Sequence, residues 1–147
     1  MRFRVEVVCV GENGDEARGE VLTMDRHHLA MDTLGLTLRE SKVMLAVVQD
    51  FVVAHQAAED LKQRRPCPSC GKRHTAKGAG AAAVKTLFGV VPVANPRWHR
   101  CPCQAHGPKT FRPSASWLIG QTSPELLYVE TTWASLIPLR EGRRPVA

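Results

Sequence analysis

Over the first ten positions Phe3, Val5, Val7 and Cys9 fall on one face and Arg4, Glu6, Val8 and Val10 on the other. That two-residue period predicts a strand. The polar stretch Gly11 to Gly19 reads as a loop and Glu20 to Met24 as a short return strand, which together give a hairpin. Thr37-Leu38-Arg39-Glu40 is a capping-box pattern, in which hydroxyl and carboxylate satisfy free backbone donors at a helix start. Met44, Val47, Val48, Phe51, His55 and Ala58 then recur at three- and four-residue spacing, and Leu45, Val52 and Val53 widen the stripe. A long helix over residues 38–62, ended by Pro66, follows from this pattern. So broad an apolar face needs cover on more than one side. The N-terminal hairpin and a C-terminal helix are the simplest cover, and a second copy or another domain is the alternative.

From Pro66 to Arg112 the helical period disappears. Ala82 to Leu87 and Val90 to Ala94 flank Phe88-Gly89 as a hairpin, and Arg97 to Arg100 reads as a third strand. Ser123-Pro124-Glu125 then offers an N-cap, a first-turn proline and a first-turn acid for a last helix through Leu126, Val129, Trp133 and Ile137. The tail beyond Pro138 is basic and contains proline and glycine, and is expected to be loose.

Composition sharpens this outline. Aromatic residues make up only 5% of the 147, so two small modules would each be marginal without a staple. The longest apolar run, Val43 to Ala54, is interrupted by Gln49 and Asp50 and is too short to span a bilayer. Met1-Arg2-Phe3-Arg4 leads into an alternating segment that lacks the apolar centre of a secretory signal, so a cytoplasmic protein with no membrane partner is expected. In a reducing compartment, five cysteines suit metal or redox chemistry better than disulfides.

Cys67-Pro68-Ser69-Cys70 and Cys101-Pro102-Cys103 sit in two tight turns at either end of the predicted hairpin. This is zinc-ribbon spacing: two close pairs, brought together by a hairpin, supply four soft donors without a large core. Gly71 helps the first turn fold its amides back toward a thiolate. One Zn2+ on Cys67, Cys70, Cys101 and Cys103 is expected, with His106 or His99 as a possible substitute for one thiolate. His74, His27 and His28 have no partner at ligand spacing and read as surface or loop residues, and Cys9 as a small buried hydrophobe. A redox pair at Cys67 and Cys70 is the competing use, but a helix precedes the pair where a redox site would have one following it. The fold class expected is α+β, with a hairpin and long helix over 1–65, a zinc ribbon over 66–112, a C-terminal helix over 113–137 and a tail over 138–147.

Charge is distributed unevenly. Residues 1–60 hold 6 basic and 11 acidic side chains, whereas residues 61–112 hold 11 basic and none acidic. Such a block suits a phosphate backbone, and Arg64, Arg65, Lys72, Arg73, Lys77, Lys85, Arg97 and Arg100 are the candidate contacts. A solvated surface is the plainer reading, though one that usually carries mixed signs. Trp98, between Arg97 and Arg100, either packs in the core or stacks on a base.

With these residues assembled, the chain resembles the N-terminal part of insertion-sequence transposases of the ISKra family. The resemblance rests on Gly35-Leu36-Thr37-Leu38 with Glu40, Lys42 and Gln49, Cys67-Pro68-Ser69-Cys70-Gly71, and Lys77-Gly78. It continues through Thr86-Leu87-Phe88-Gly89, Pro96-Arg97, Cys101-Pro102-Cys103-Gln104, Thr122-Ser123-Pro124-Glu125-Leu126-Leu127-Tyr128 and Trp133-Ala134-Ser135-Leu136. It implies a zinc-binding, DNA-contacting region followed by a larger catalytic domain in which three carboxylates hold two metal ions. After Leu136 the chain departs from that pattern. The expectation is a truncated, non-catalytic, nucleoid-associated fragment that binds element ends. The alternatives are a dimerising fragment that inhibits full-length transposase and a small thiol redox protein.

Overall fold

Alternation along the N-terminal segment becomes a two-stranded antiparallel sheet, β1 (Arg2–Val10) and β2 (Glu16–Asp25), in a computed structural model that describes residues 1–104 and 106–136. Position 137 and the expected tail over 138–147 lie outside the described residues. β2 begins four residues before the expected Glu20, and the loop shrinks to 11–15, closed by Gly11 N donating to Asp15 O at 2.7 Å. The reason is a half-buried strand in polar dress. Ala17, Gly19 and Val21 turn inward while Glu16, Arg18 and Glu20 face solvent. The register shifts between Val5 and Glu6 and leaves buried Val21 unpaired, a β-bulge.

Helix α1 (Leu38–Arg64) starts on the capping box read from sequence. Glu40 N donates to Thr37 Oγ1 at 3.2 Å, and Thr37 N donates to Glu40 Oε2 at 2.8 Å. Arg26 closes on the same carboxylate at 2.7 Å while its Nε donates to Thr33 O, which ties the loop after β2 to the helix start. The Arg26 guanidinium, then the Thr37 amide and hydroxyl, lower the Glu40 carboxyl from its ordinary 4.5 to about 2. Further along, α1 crosses the sheet at Gly19, where a Cβ would stand 2.7 Å from the Phe51 ring. Only glycine permits that approach.

Five short strands follow: β3 (Ala76–Gly78), β4 (Ala81–Thr86), β5 (Gly89–Ala94), β6 (Arg97–His99) and β7 (Thr110–Phe111). β4 and β5 form the expected hairpin, with Thr86 opposite Gly89. Its place differs from expectation. Arg97–His99 does not extend this hairpin but pairs with β3 and β7 in a separate sheet of order β3-β6-β7. The hairpin instead lies on α1, where Val91 and Val93 pack with Ala57, Val53 and Val84 as a small core. Alternation along β5 aims both valines at the helix, so the apolar face of α1 is covered by this hairpin where sequence pointed to the C-terminal helix.

That last helix, α2 (Pro124–Leu136), is capped by Ser123, whose Oγ accepts from Leu126 N at 3.3 Å. It is anchored through β4, since Lys85 N donates to Gln121 O and Ser123 N to Lys85 O. None of its residues is buried. Trp117 Nε1 donates to Asp60 at 3.0 Å and holds the preceding turn on α1. Among the described residues, no helix is long and apolar enough to cross a membrane.

Candidate metal centre

Pro66 ends α1 and pairs with Arg73 as an isolated bridge, so the chain reverses at once into the first cysteine turn. Gly71 takes φ +72, its amide donates to Cys67 O at 2.8 Å, and Cys67 N donates to Lys72 O at 2.8 Å. An L side chain is disfavoured at that φ. The second turn follows β6, with Gln104 N donating to Cys101 O at 3.0 Å. The β3-β6-β7 sheet thus joins two turns that lie 30 residues apart in sequence.

Behind the turns sits a small aromatic core. Trp98 is 2% exposed, His74 stacks on it at 6.2 Å, and Phe111 meets His74 edge-on at 5.0 Å. His74 Nδ1 lies 3.0 Å from His99 O, and the Arg65 guanidinium covers Trp98 at 4.9 Å. One sequence reading changes here and another is decided between its two alternatives. His74 is a buried structural residue and not a surface one, because Trp98 and Phe111, distant in sequence, enclose it. Trp98 is packing and is not presented for base stacking.

The four thiols converge. Cys70 Sγ lies 3.4 Å from the sulfurs of both Cys101 and Cys103, and Cys67 Sγ lies 3.6 Å from that of Cys103. All four sulfurs fall within 4.8 Å of one another, an arrangement that could hold a metal ion. Metal–thiolate bonds of about 2.3 Å in a tetrahedron place sulfurs about 3.8 Å apart, close to these separations. His99 and His106, both exposed, do not join the group. Cys67 is buried and Cys101 half-buried, while Cys70 and Cys103 reach the surface.

Electrostatics distinguishes the thiols. Burial pushes the Cys67 thiol up, but hydrogen bonds from the Ser69 and Cys70 amides outweigh it and bring the group to about 7. Cys103 moves the other way: hydrogen bonds from its thiol to Cys101 and then Cys70 hold the proton, and burial adds to the rise. A cation at the centre would favour the thiolate form of the group. Cys67 also lies just past the C-terminal end of α1, the wrong end of a helix to activate a redox thiolate.

The basic residues divide into two sets. Arg64 pairs with Asp60 at 2.6 Å, Arg65 covers Trp98, and Arg100 donates to Pro108 O at 3.0 Å over the Phe111 ring. These three, with Lys62 on Glu59 and Arg112 on Asn95 O, have partners within the fold. Lys72, Arg73, Lys77, Lys85 and Arg97 are exposed and, among the described residues, make no ion pair or side-chain hydrogen bond. Lys109 joins them. Net charge could be read from sequence, but which arginines are engaged internally depends on Asp60, Trp98 and Phe111 and could not. No protein-family model, curated protein or solved structure matches the chain.

Proposed function

We propose that this chain is a zinc-stapled DNA-binding module, non-catalytic and nucleoid-associated, of the kind its motifs resemble in insertion-sequence transposases. The observation that carries the reading is the exposed basic set in a segment, 61–112, that contains no acidic residue: Lys72, Arg73, Lys77, Arg97 and Lys109 on or beside the β3-β6-β7 sheet and its cysteine turns, with Lys85 on the neighbouring β4-β5 hairpin. Among the described residues these six cations have no internal partner, and they are free to replace counterions on a phosphate backbone.

Zinc suits the donor set, since four thiolates without a histidine or an open position are the composition of closed structural sites. Bound there, the ion would hold the two turns together and supply no chemistry. Asp25, Glu16, Glu40, Glu59 and Asp60 each pair with an arginine or lysine, and among the described residues the four cysteines are the only gathered metal-ligand group. The transposase reading, with element ends as the DNA partner, rests on the motif resemblance.

The test is duplex binding as a function of salt. Lys72→Ala, Arg73→Ala and Arg97→Ala should each weaken binding and lower the logarithmic salt slope by about 0.9 per lost phosphate contact. Arg18→Ala, on the hairpin, should leave the slope unchanged. Equal effects from both groups would refute the assignment of the surface.

A further inference from the structure

The free edge of β1 is self-complementary in one register. We propose that two copies of this chain pair antiparallel through β1, on a two-fold axis at Val5, to make a continuous four-stranded sheet. The interface is independent of the DNA-binding reading.

The phase of the backbone comes first. Met1 and Arg26 exchange reciprocal hydrogen bonds, Met1 N to Arg26 O at 2.7 Å and Arg26 N to Met1 O at 2.8 Å. Odd-numbered residues of β1 therefore spend their amides and carbonyls on β2. The even ones, from Arg2 to Val10, point theirs outward, and among the described residues no strand other than β2 pairs with β1. An antiparallel copy must bond even residues to even residues.

Charge then selects the register. Pairing about Arg4 sets Arg4 against its own copy, and pairing about Glu6 sets Glu6 against its own copy. Only pairing about Val5 places each Arg4 opposite Glu6 of the partner, twice by symmetry. Arg4 and Glu6 already lie 2.9 Å apart along one strand, so the dimer extends that pair into a row of four alternating charges. Arg2, the other charge on this edge, is held by Asp25 at 2.9 Å and would face Val8 of the partner.

The other face adds apolar cover. In this register Phe3 faces Val7 of the partner and Val5 faces its own copy, as non-hydrogen-bonded pairs whose side chains approach closely. Phe3 is 45% exposed within one chain. Two apolar grooves flank the edge on this side, one at Phe3, Val5 and Leu34, the other at Val7, Cys9 and Val52. Neighbouring strand residues would begin to fill both.

Sedimentation equilibrium of the zinc-loaded full chain should give twice its 16.2 kDa mass at micromolar concentration. Arg4→Glu or Glu6→Arg alone should weaken association roughly tenfold or more, because two attractive pairs become repulsive. The combined Arg4→Glu and Glu6→Arg chain restores opposite charges and should recover the dimer, which separates lost pairing from lost folding. In a Cys9→Ser background, Val5→Cys should cross-link to itself on oxidation and Val7→Cys should not. A monomeric wild-type chain, a dimer indifferent to both reversals, no recovery in the combined variant, or no Val5→Cys cross-link would overturn the proposal.

Discussion

Cys70→Ser removes a sulfur that lies 3.4 Å from two of the other three, and the structure indicates how far the damage should spread. The β3-β6-β7 sheet has little else to hold it. Its buried side chains are Trp98, His74 and Cys67, and a buried Trp is worth about 3–5 kcal/mol on truncation. On the proposed zinc reading, an ion on four thiolates would contribute about 10–16 kcal/mol near neutral pH and would dominate the module. The core of Val91, Val93 and Ala57 under α1 shares no residue with it. Hydrogen exchange resolved by residue should therefore show lost protection at Cys67, His99 and Arg100, whose amides bond Lys72 O, Thr75 O and Lys109 O. Exchange along α1 around Ala57 should stay as slow as in wild type. Unchanged protection at His99 and Arg100 in the variant, or collapse of both regions together, would refute the reasoning.

Two further outcomes follow from packing and charge. Gly19→Ala drives a Cβ to 2.7 Å from the Phe51 ring and should cost about 1–2 kcal/mol in denaturant unfolding, with much of it recovered in Phe51→Leu; a stabilised Gly19→Ala chain would contradict the contact. Because Glu40 is lowered to about 2 from 4.5, its contribution to stability is complete above 4.5 and is lost as pH falls through about 2. Its carboxyl carbon should titrate near 2 by NMR, and a midpoint near 4.5 would show that the Arg26 pair is not formed in solution.

Local signals in the chain were legible where the physics is local. Thr37 and Glu40 define a helix start because both partners lie within one turn, and Gly71 and the paired cysteines define a metal knuckle for the same reason. Alternation in β5 announced a buried face, but not that its partner is Ala57 on α1, more than thirty positions earlier in the chain. Sequence alone therefore places the hairpin in the cysteine module that surrounds it. The burial of His74 is illegible for a related reason, since nothing near it in sequence encloses it and only the fold brings Trp98 and Phe111 to its ring. The start of β2 is hidden in the sequence because half of its residues face water, so Glu16 and Arg18 look like loop.

In the proposed module one metal supports one basic surface, and that link is open to a direct measurement. Duplex affinity should be compared at fixed salt for the zinc-loaded chain, the same chain after chelation, and the chain after zinc is restored. Lys72, Arg73 and Arg97 are positioned by the turns and strand of the cysteine module, so chelation should weaken binding at least tenfold and zinc should return it. Equal affinity with and without the metal would contradict a zinc-stapled DNA-binding surface.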